Sequence, residues 1–286
     1  MVTVTIPSFG AYLQHLRRAT VAPGFTPDSD FPPRRRRSRD ELARAAKISV
    51  SYLTKLEQGY PIRPTREVVD HLADGLDVSS QVREHMHHLI TYTYTKPSAG
   101  ATSATARPPA LSDITPEQRR HVEWLNPNLA AWITEAWWVL YGNQEYRRIY
   151  RHLDEVGNVL IWFFAVPESR TIMVEWDVEA RLTVAWLRSH MVHRAGDPAF
   201  PALLDRLSAF PEFVRMWEQQ QILMGRHSPF MRIRDLDTGA ETTLLANVFR
   251  HPDPTNAVQL YVGARPPAPG TLRTPEPDHP GNAPKL

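Results

Sequence analysis

The chain has 286 residues, 42% of them hydrophobic, and a net charge of only +2, which gives it the length for two domains and the apolar content for packed cores. It contains no cysteine, which excludes disulfides, thiolate metal sites and thiol catalysis. There is no charged-then-apolar leader, and the longest apolar run, Val159 to Val166, is far shorter than the roughly 20 residues that span a bilayer, so a cytoplasmic protein with no membrane partner is expected.

The charge is uneven. Residues 1–96 hold 14 Lys and Arg against 10 Asp and Glu, and the remainder 19 against 21. A basic first part suits a nucleic-acid module joined to something else. Met1 to Pro7 reads as an arm, and Ser8 caps a helix to about Ala19 with Phe9, Tyr12, Leu13 and Leu16 on one stripe. Thr20 to Arg37 is a proline-rich loop ending in Arg34, Arg35, Arg36 and Arg37, placed to grip phosphates or reach a minor groove.

Ser38 to Gly59 organises the first domain. Ser38 and Glu41 have capping-box spacing, and Leu42 and Ala46 share a face. Lys47, Ile48 and Ser49 break the pattern. Ser49 caps a second helix, Val50 to Gln58, and Gly59 stops it. Leu53 and Leu56 point inward, which leaves Ser51, Tyr52, Thr54, Lys55 and Gln58 outward. Two short helices around a tight turn make a helix-turn-helix, or an ordinary helical hairpin in a core. In the first case Ser51 and Gln58 suit bases, Lys55 suits phosphate or guanine, and the DNA-contacting set is Arg36, Arg37, Ser49, Ser51, Tyr52, Thr54, Lys55 and Gln58.

LARAAKISVSYLTKLEQG resembles the motif of Xre or Cro/C1-type helix-turn-helix domains, with Lys47 where that family usually has the turn glycine. Two further helices, Thr65 to Leu76 and Ser80 to Tyr92, complete the bundle. The latter carries His85, His87 and His88; His87 and His88 diverge around the helix, and the group reads as a solvated or inter-domain surface rather than as a metal site.

Residues 96–112 are rich in small residues and proline and read as a linker. All eight tryptophans lie beyond Asp113. Leu129 to Thr134 and Trp137 to Tyr141 predict a hairpin. Gln144 to Phe164 reads as helix interrupted near Gly157, Ile172 to Val192 as one long helix, and Pro198 to Leu207 and Pro211 to Gln221 as two more. The period then shifts to two, with strands from Phe230, over Thr242 to Arg250, and over Asn256 to Ala264. The expected organisation is an all-α helix-turn-helix bundle (1–95), the linker, an α+β PAS-like domain of about five antiparallel strands with helices on one face (113–264), and a proline-rich tail (265–286).

Leu129 to Glu145 and Phe210 to Ile222 resemble segments of the MmyB-like transcription regulators, in which an Xre-type domain precedes a PAS-like ligand-binding domain. The family's hairpin tryptophan matches Trp137. Its Trp-Asn-Pro is Gly142-Asn143-Gln144 here, and its Ser-Pro-Glu-Phe pattern with a following tryptophan is Phe210-Pro211-Glu212-Phe213 with Trp217. The resemblance implies regulation of transcription in response to small molecules.

No P-loop, G-x-S-x-G, G-x-G-x-x-G or H-E-x-x-H occurs, so no enzyme is expected. His190, His193 and Asp197 form the weak catalytic or metal alternative, and His152 or His190 the haem-ligand alternative; no cofactor is expected. Large rings on both predicted layers point to a pocket for an apolar ligand, fatty-acid-like or aromatic, lined by Trp132, Trp138, Phe163, Phe164, Trp186, Phe213 and Trp217, or simply to a dense core. Arg147, Arg148, Arg151 and Arg188 are near enough in sequence to meet a carboxylate head. The reading is a ligand-responsive, homodimeric regulator of a double-stranded operator; the alternatives are a constitutive repressor whose second domain only dimerises, and a DNA-associated enzyme.

Overall fold

The computed structural model describes residues 4–19, 36–94, 114–194, 197, 199–223, 228–250 and 258–266. Arg34, Arg35, the linker at 96–112, the first two residues of the last predicted strand and nearly all of the predicted tail lie outside them.

Five helices form the first unit: α1 Phe9–Arg18, α2 Arg39–Ala45, α3 Val50–Glu57, α4 Arg66–Leu76 and α5 Ser80–Tyr94. Their starts are set locally. Ser8, Ser38, Ser49 and Thr65 each accept a backbone N–H of their own first turn, and Ser38 with Glu41 closes both halves of a capping box. The turn between α2 and α3 places Lys47 at φ 57°, so the position where a glycine was expected does take the left-handed conformation, at a cost of about 1 kcal/mol. Gly10 is required by packing: a Cβ there would meet the Leu56 carbonyl oxygen at 2.0 Å, so its absence lets α1 lie directly on α3.

The second unit opens with α6 Pro116–Trp124, which the sequence reading did not foresee. The hairpin β1 Leu129–Thr134 and β2 Val139–Gly142 follows, then the helices α7 Gln144–Ile149, α8 Leu153–Val156, α9 Val159–Ala165, α10 Ser169–Ile172, α11 Trp176–His193, α12 Ala199–Leu207 and α13 Pro211–Glu218. Three strands close it: β3 Phe230–Arg234, β4 Glu241–Arg250 and β5 Val258–Ala264. The sheet order is β2-β1-β5-β4-β3, antiparallel throughout, which is the α+β PAS-like arrangement. Leu129, Ala131 and Ile133 of β1 and Leu244 and Ala246 of β4 face the helical layer and join its core, as strand alternation requires. The helix α6 instead crosses the opposite face, where Trp132 donates its indole N–H to the Gln118 carbonyl at 2.9 Å. Trp137, expected in the strand, sits in the turn at φ 64°, an unusual conformation for a bulky residue. The long helix begins at Trp176 rather than Ile172, because Ile172 ends the separate turn α10.

The two units share apolar packing. Val192 of α11 and Ile222 after α13 are buried in the core of the first bundle. Residues 4–6, counted with the first unit from sequence, reach the second: Val4 is buried in its core, and Thr5 accepts the Trp217 indole N–H at 3.1 Å.

Candidate DNA-binding and ligand-binding sites

The helix α3 offers a polar outer face. Ser51, Lys55 and Gln58 are exposed, and Tyr52 is half-buried against the bundle core. Ser49 is committed to capping, and the Thr54 hydroxyl donates to the Val50 carbonyl at 2.8 Å, so both position the helix more than they present free groups. Val50 at 38% and Tyr60 at 52% exposure are large apolar groups beside this face that the sequence reading did not single out; either can meet a thymine methyl. Arg36 is exposed. Arg37 is half-buried, its backbone N–H donating to the Arg17 carbonyl at 3.1 Å.

Behind α3 lies a buried ion cluster. Glu57 accepts Arg17 Nε at 2.5 Å and Arg39 Nε at 2.8 Å, and its side chain is wholly shielded. Burial opposes ionisation of Glu57, but hydrogen bonds from Arg17 and Arg39 and their charges outweigh it and hold the carboxyl below its ordinary value. Three elements are thereby tied together: α1, the start of α2 and the end of α3.

In the second unit a cavity of about 440 Å³ lies between α11 and the inner sheet face, within the range of small-molecule sites. Leu182, Thr183 and Trp186 wall it from the helix, Ala246, Val248 and Tyr261 from the sheet, with Trp137 and Arg250 also on its wall. Trp137 packs edge-to-face on Trp186 at 4.5 Å between centroids, and its buried indole N–H has no hydrogen-bond partner. His190 contacts the Trp186 carbonyl through Nδ1 at 3.1 Å and Arg250 through Nε2 at 2.9 Å. Because an arginine only donates, Nε2 is the acceptor and Nδ1 carries the proton. Burial, opposed by the Trp186 carbonyl and aided by the Arg250 charge, pushes this imidazole down to about 4. It is neutral and orients Arg250. A smaller chamber of about 60 Å³ shares Trp137, Thr183 and Tyr261 with the main cavity and adds Phe163, Tyr150 and Glu179.

The residues expected at a pocket are dispersed. Trp186 walls the main cavity and Phe163 the small chamber. Trp132 lies on the far sheet face under α6. Trp138 lies with Arg206 over its ring at 5.5 Å. Phe164 packs with Trp176, Phe210 and Phe213. Phe213 and Trp217 fill core. The arginines point elsewhere. Arg147 lies over Tyr141 and pairs with Glu123, Arg148 pairs with Glu145, Asp235 and Asp237, and Arg151 pairs with Asp237. Acidic residues pair with them on the surface, and Arg147 also lines a separate pocket of about 180 Å³ with Tyr141, Tyr146 and Tyr150. Arg188 is buried between the units, stacked on Trp217 and donating to its carbonyl. Among the described residues the cation on the cavity wall is Arg250, which the sequence places at the end of a strand.

Among the described residues no group of three or more His, Asp or Glu side chains could hold a metal ion, and no helix is long and apolar enough to cross a membrane. His152 is exposed and pairs with Glu155.

Comparison with protein families adds two matches. Residues 114–273 match the model of the MmyB-like transcription regulator ligand binding domain, and residues 8–86 match a helix-turn-helix domain. The chain belongs to the MmyB-like transcription regulators. A search of curated proteins found no match. In this MmyB-like regulator the Gly142 departure has a local cause: a Cβ there would meet the Tyr146 ring at 2.5 Å. The retained Asn143 is fully buried, accepts the Ala130 and Tyr146 N–H groups and donates to the Val122 and Asn128 carbonyls. It locks α6, the hairpin and α7 together.

Proposed function

We propose that this regulator binds operator DNA through α3 and senses an apolar small molecule, fatty-acid-like or aromatic, in the cavity between α11 and the sheet. The observation that carries the reading is the position of α11. Leu182, Thr183 and Trp186 wall the cavity, while Val192, two turns on, is buried in the core of the DNA-binding bundle. A ligand that displaces Trp186 therefore acts on the element that holds the bundle. A homodimer suits a two-fold operator, and the outer sheet face carries exposed Phe230, Leu245 and Phe249 as the apolar surface for a second copy. Mass spectrometry of solvent extracts from the purified protein, with operator binding measured before and after extraction, tests the reading. Ligand recovery together with changed DNA affinity is expected. A protein that carries nothing extractable, and whose tryptophan fluorescence responds to no fatty acid or aromatic metabolite, is instead a constitutive repressor.

A further inference from the structure

Arg188 of α11 is 1% exposed and has no carboxylate partner among the described residues. Its guanidinium stacks on the Trp217 ring at 4.0 Å and donates through Nη2 to the Trp217 carbonyl, while Nε and Nη1 have no hydrogen-bond partner. Arg17, also buried, has the usual remedy: the shielded Glu57 carboxylate accepts its Nε and Nη2. The surroundings of Arg188 contain no such group. Tyr12 of α1 and His85 of α5 are both 0% exposed and meet edge-to-face with ring centroids 5.1 Å apart. The Tyr12 hydroxyl and both His85 ring nitrogens are also unbonded. His15 stacks 6.4 Å from Tyr12, and the charge of Arg188 reaches all three rings. Burial raises the Tyr12 phenol well above its ordinary value, so it stays protonated and cannot act as a phenolate counter-ion. Burial lowers Arg188 only to about 10, with Tyr12 opposing it, so the guanidinium stays charged.

These groups all have hydrogen to give. Arg188 Nε and Nη1 only donate, the phenol donates its O–H, and a neutral imidazole carries one N–H. A buried cation without a counter-charge is costly. Water would answer the hydrogen bonds and leave the charge; an anion answers both, through charge-assisted bonds. With Arg188, Tyr12 and His85 all shielded to 1% exposure or less, the seam suits an ion of one atom rather than a tetrahedral oxyanion. We infer that a halide, chloride in ordinary salt, binds in the seam between the two units, held by Arg188, the Tyr12 hydroxyl and a His85 ring N–H. The site is separate from the cavity. Trp186 and Arg188 are two residues apart on α11 and do not share a face; Trp186 walls the cavity, and Arg188 lies toward Tyr12 and Trp217. The inference therefore does not depend on what the cavity holds. Bound there, the anion ties α11 of the second unit to α1 and α5 of the first, and Arg17 and Glu57 tie α1 on to α3.

The test pairs thermal melts with crystallography on the full chain. The melts replace sodium gluconate by sodium chloride or bromide at fixed ionic strength, and a saturable rise in Tm of about 2–4 °C is expected with either halide. Arg188→Met removes the buried charge and keeps an unbranched stem against Trp217, so it is expected to fold and to lose the halide response. Tyr12→Phe is expected to keep the response with its midpoint raised about fivefold, the loss of one hydrogen bond. Crystals grown in bromide are expected to show an anomalous peak within hydrogen-bond reach of Arg188 and Tyr12. If Arg188→Met does not fold, the bromide peak decides. A halide response that persists in Arg188→Met, with peaks at surface arginines and none in the seam, means an adventitious ion only and overturns the inference. A water without anomalous signal beside Arg188, or a melt indifferent to halide, overturns it as well. None of these outcomes bears on the sensor reading, which the extraction experiment tests separately.

Discussion

The ring of His88, on the last helix of the DNA-binding bundle, lies 4.8 Å from the ring of His193 at the end of the cavity helix. Around this pair the boundary is crowded with bases. The charge of Arg188 of α11 reaches both His15 of α1 and His85 of α5. Arg188 is 1% exposed, with two of its guanidinium nitrogens unbonded, and burial lowers it only to about 10, so it stays charged. Burial and then the Arg188 charge favour the neutral forms of His15 and His85, and burial and then the neighbouring His193 favour the neutral form of His88.

Docking of the two units is therefore expected to weaken in acid. Burial, then Arg188, then His88 push His85 from 6.5 down to about 3. A base lowered on folding binds its proton more readily when undocked or unfolded. Its contribution is complete above about 6.5 and is lost as pH falls toward about 3. His85→Phe removes both unbonded ring nitrogens and keeps an aromatic edge for Tyr12, 5.1 Å away. Melts at about pH 7.5 and about pH 5 should show a smaller acid destabilisation for this variant than for the parent. An unchanged difference would remove His85 from the account.

Filling the cavity should separate sensing from DNA binding. Ala246 is 4% exposed and faces the cavity from β4. Ala246→Phe places a ring where the ligand body would lie, so ligand-induced melting shifts should disappear. Operator affinity should then stay the same with and without added ligand, because the space through which a ligand would act on α11 is already filled. Retained ligand shifts would place the ligand elsewhere.

The Glu57 cluster sets the rigidity of α3. Glu57→Ala leaves the buried Arg17 cation uncompensated, and a loss of about 3–5 kcal/mol is expected in denaturant unfolding. The carboxyl is lowered on folding, so its contribution is present above about 4.5 and is lost as pH falls below that value. The acid limb of the parent's stability curve should therefore be shallower in the variant.

Replacing Ser51, Tyr52 and Lys55 together by alanine should abolish operator recognition, each lost base contact costing about 1–3 kcal/mol. Lys55→Ala alone should weaken all DNA sequences alike and reduce the salt dependence if it meets phosphate. Fluorescence anisotropy with operator and scrambled duplexes reads both. Full affinity in the triple variant would disqualify α3 as the reading helix.

The elements legible in the sequence were those with local causes. Capping serines at 8, 38 and 49 marked helix starts, and period-two alternation marked β3 and β4. The helix α6 carried the same kind of signal, Thr115 and Gln118 closing a capping box with proline at the first turn, but its sparse apolar face hid it. The cavity was less legible because its lining depends on which side of the sheet a ring falls. Trp132 and Trp186 look alike in sequence, yet one lies under α6 and the other on the cavity wall. The surroundings of Arg148 in α7 and of Arg151 just after it were not legible for a related reason: Asp235 and Asp237, which pair with them, lie more than 80 residues away.

The arm at Val4 to Ile6 also bears on how the molecule is made. Thr5 meets Trp217 across 212 residues of chain. On the ribosome, which extends the chain at about 5–20 residues per second, the DNA-binding bundle leaves the exit tunnel well before Trp217 is synthesised. The bundle must therefore first fold without Val192, Ile222 or the anchored arm. A nascent regulator passes through an interval in which its DNA-reading half exists without the half that governs it.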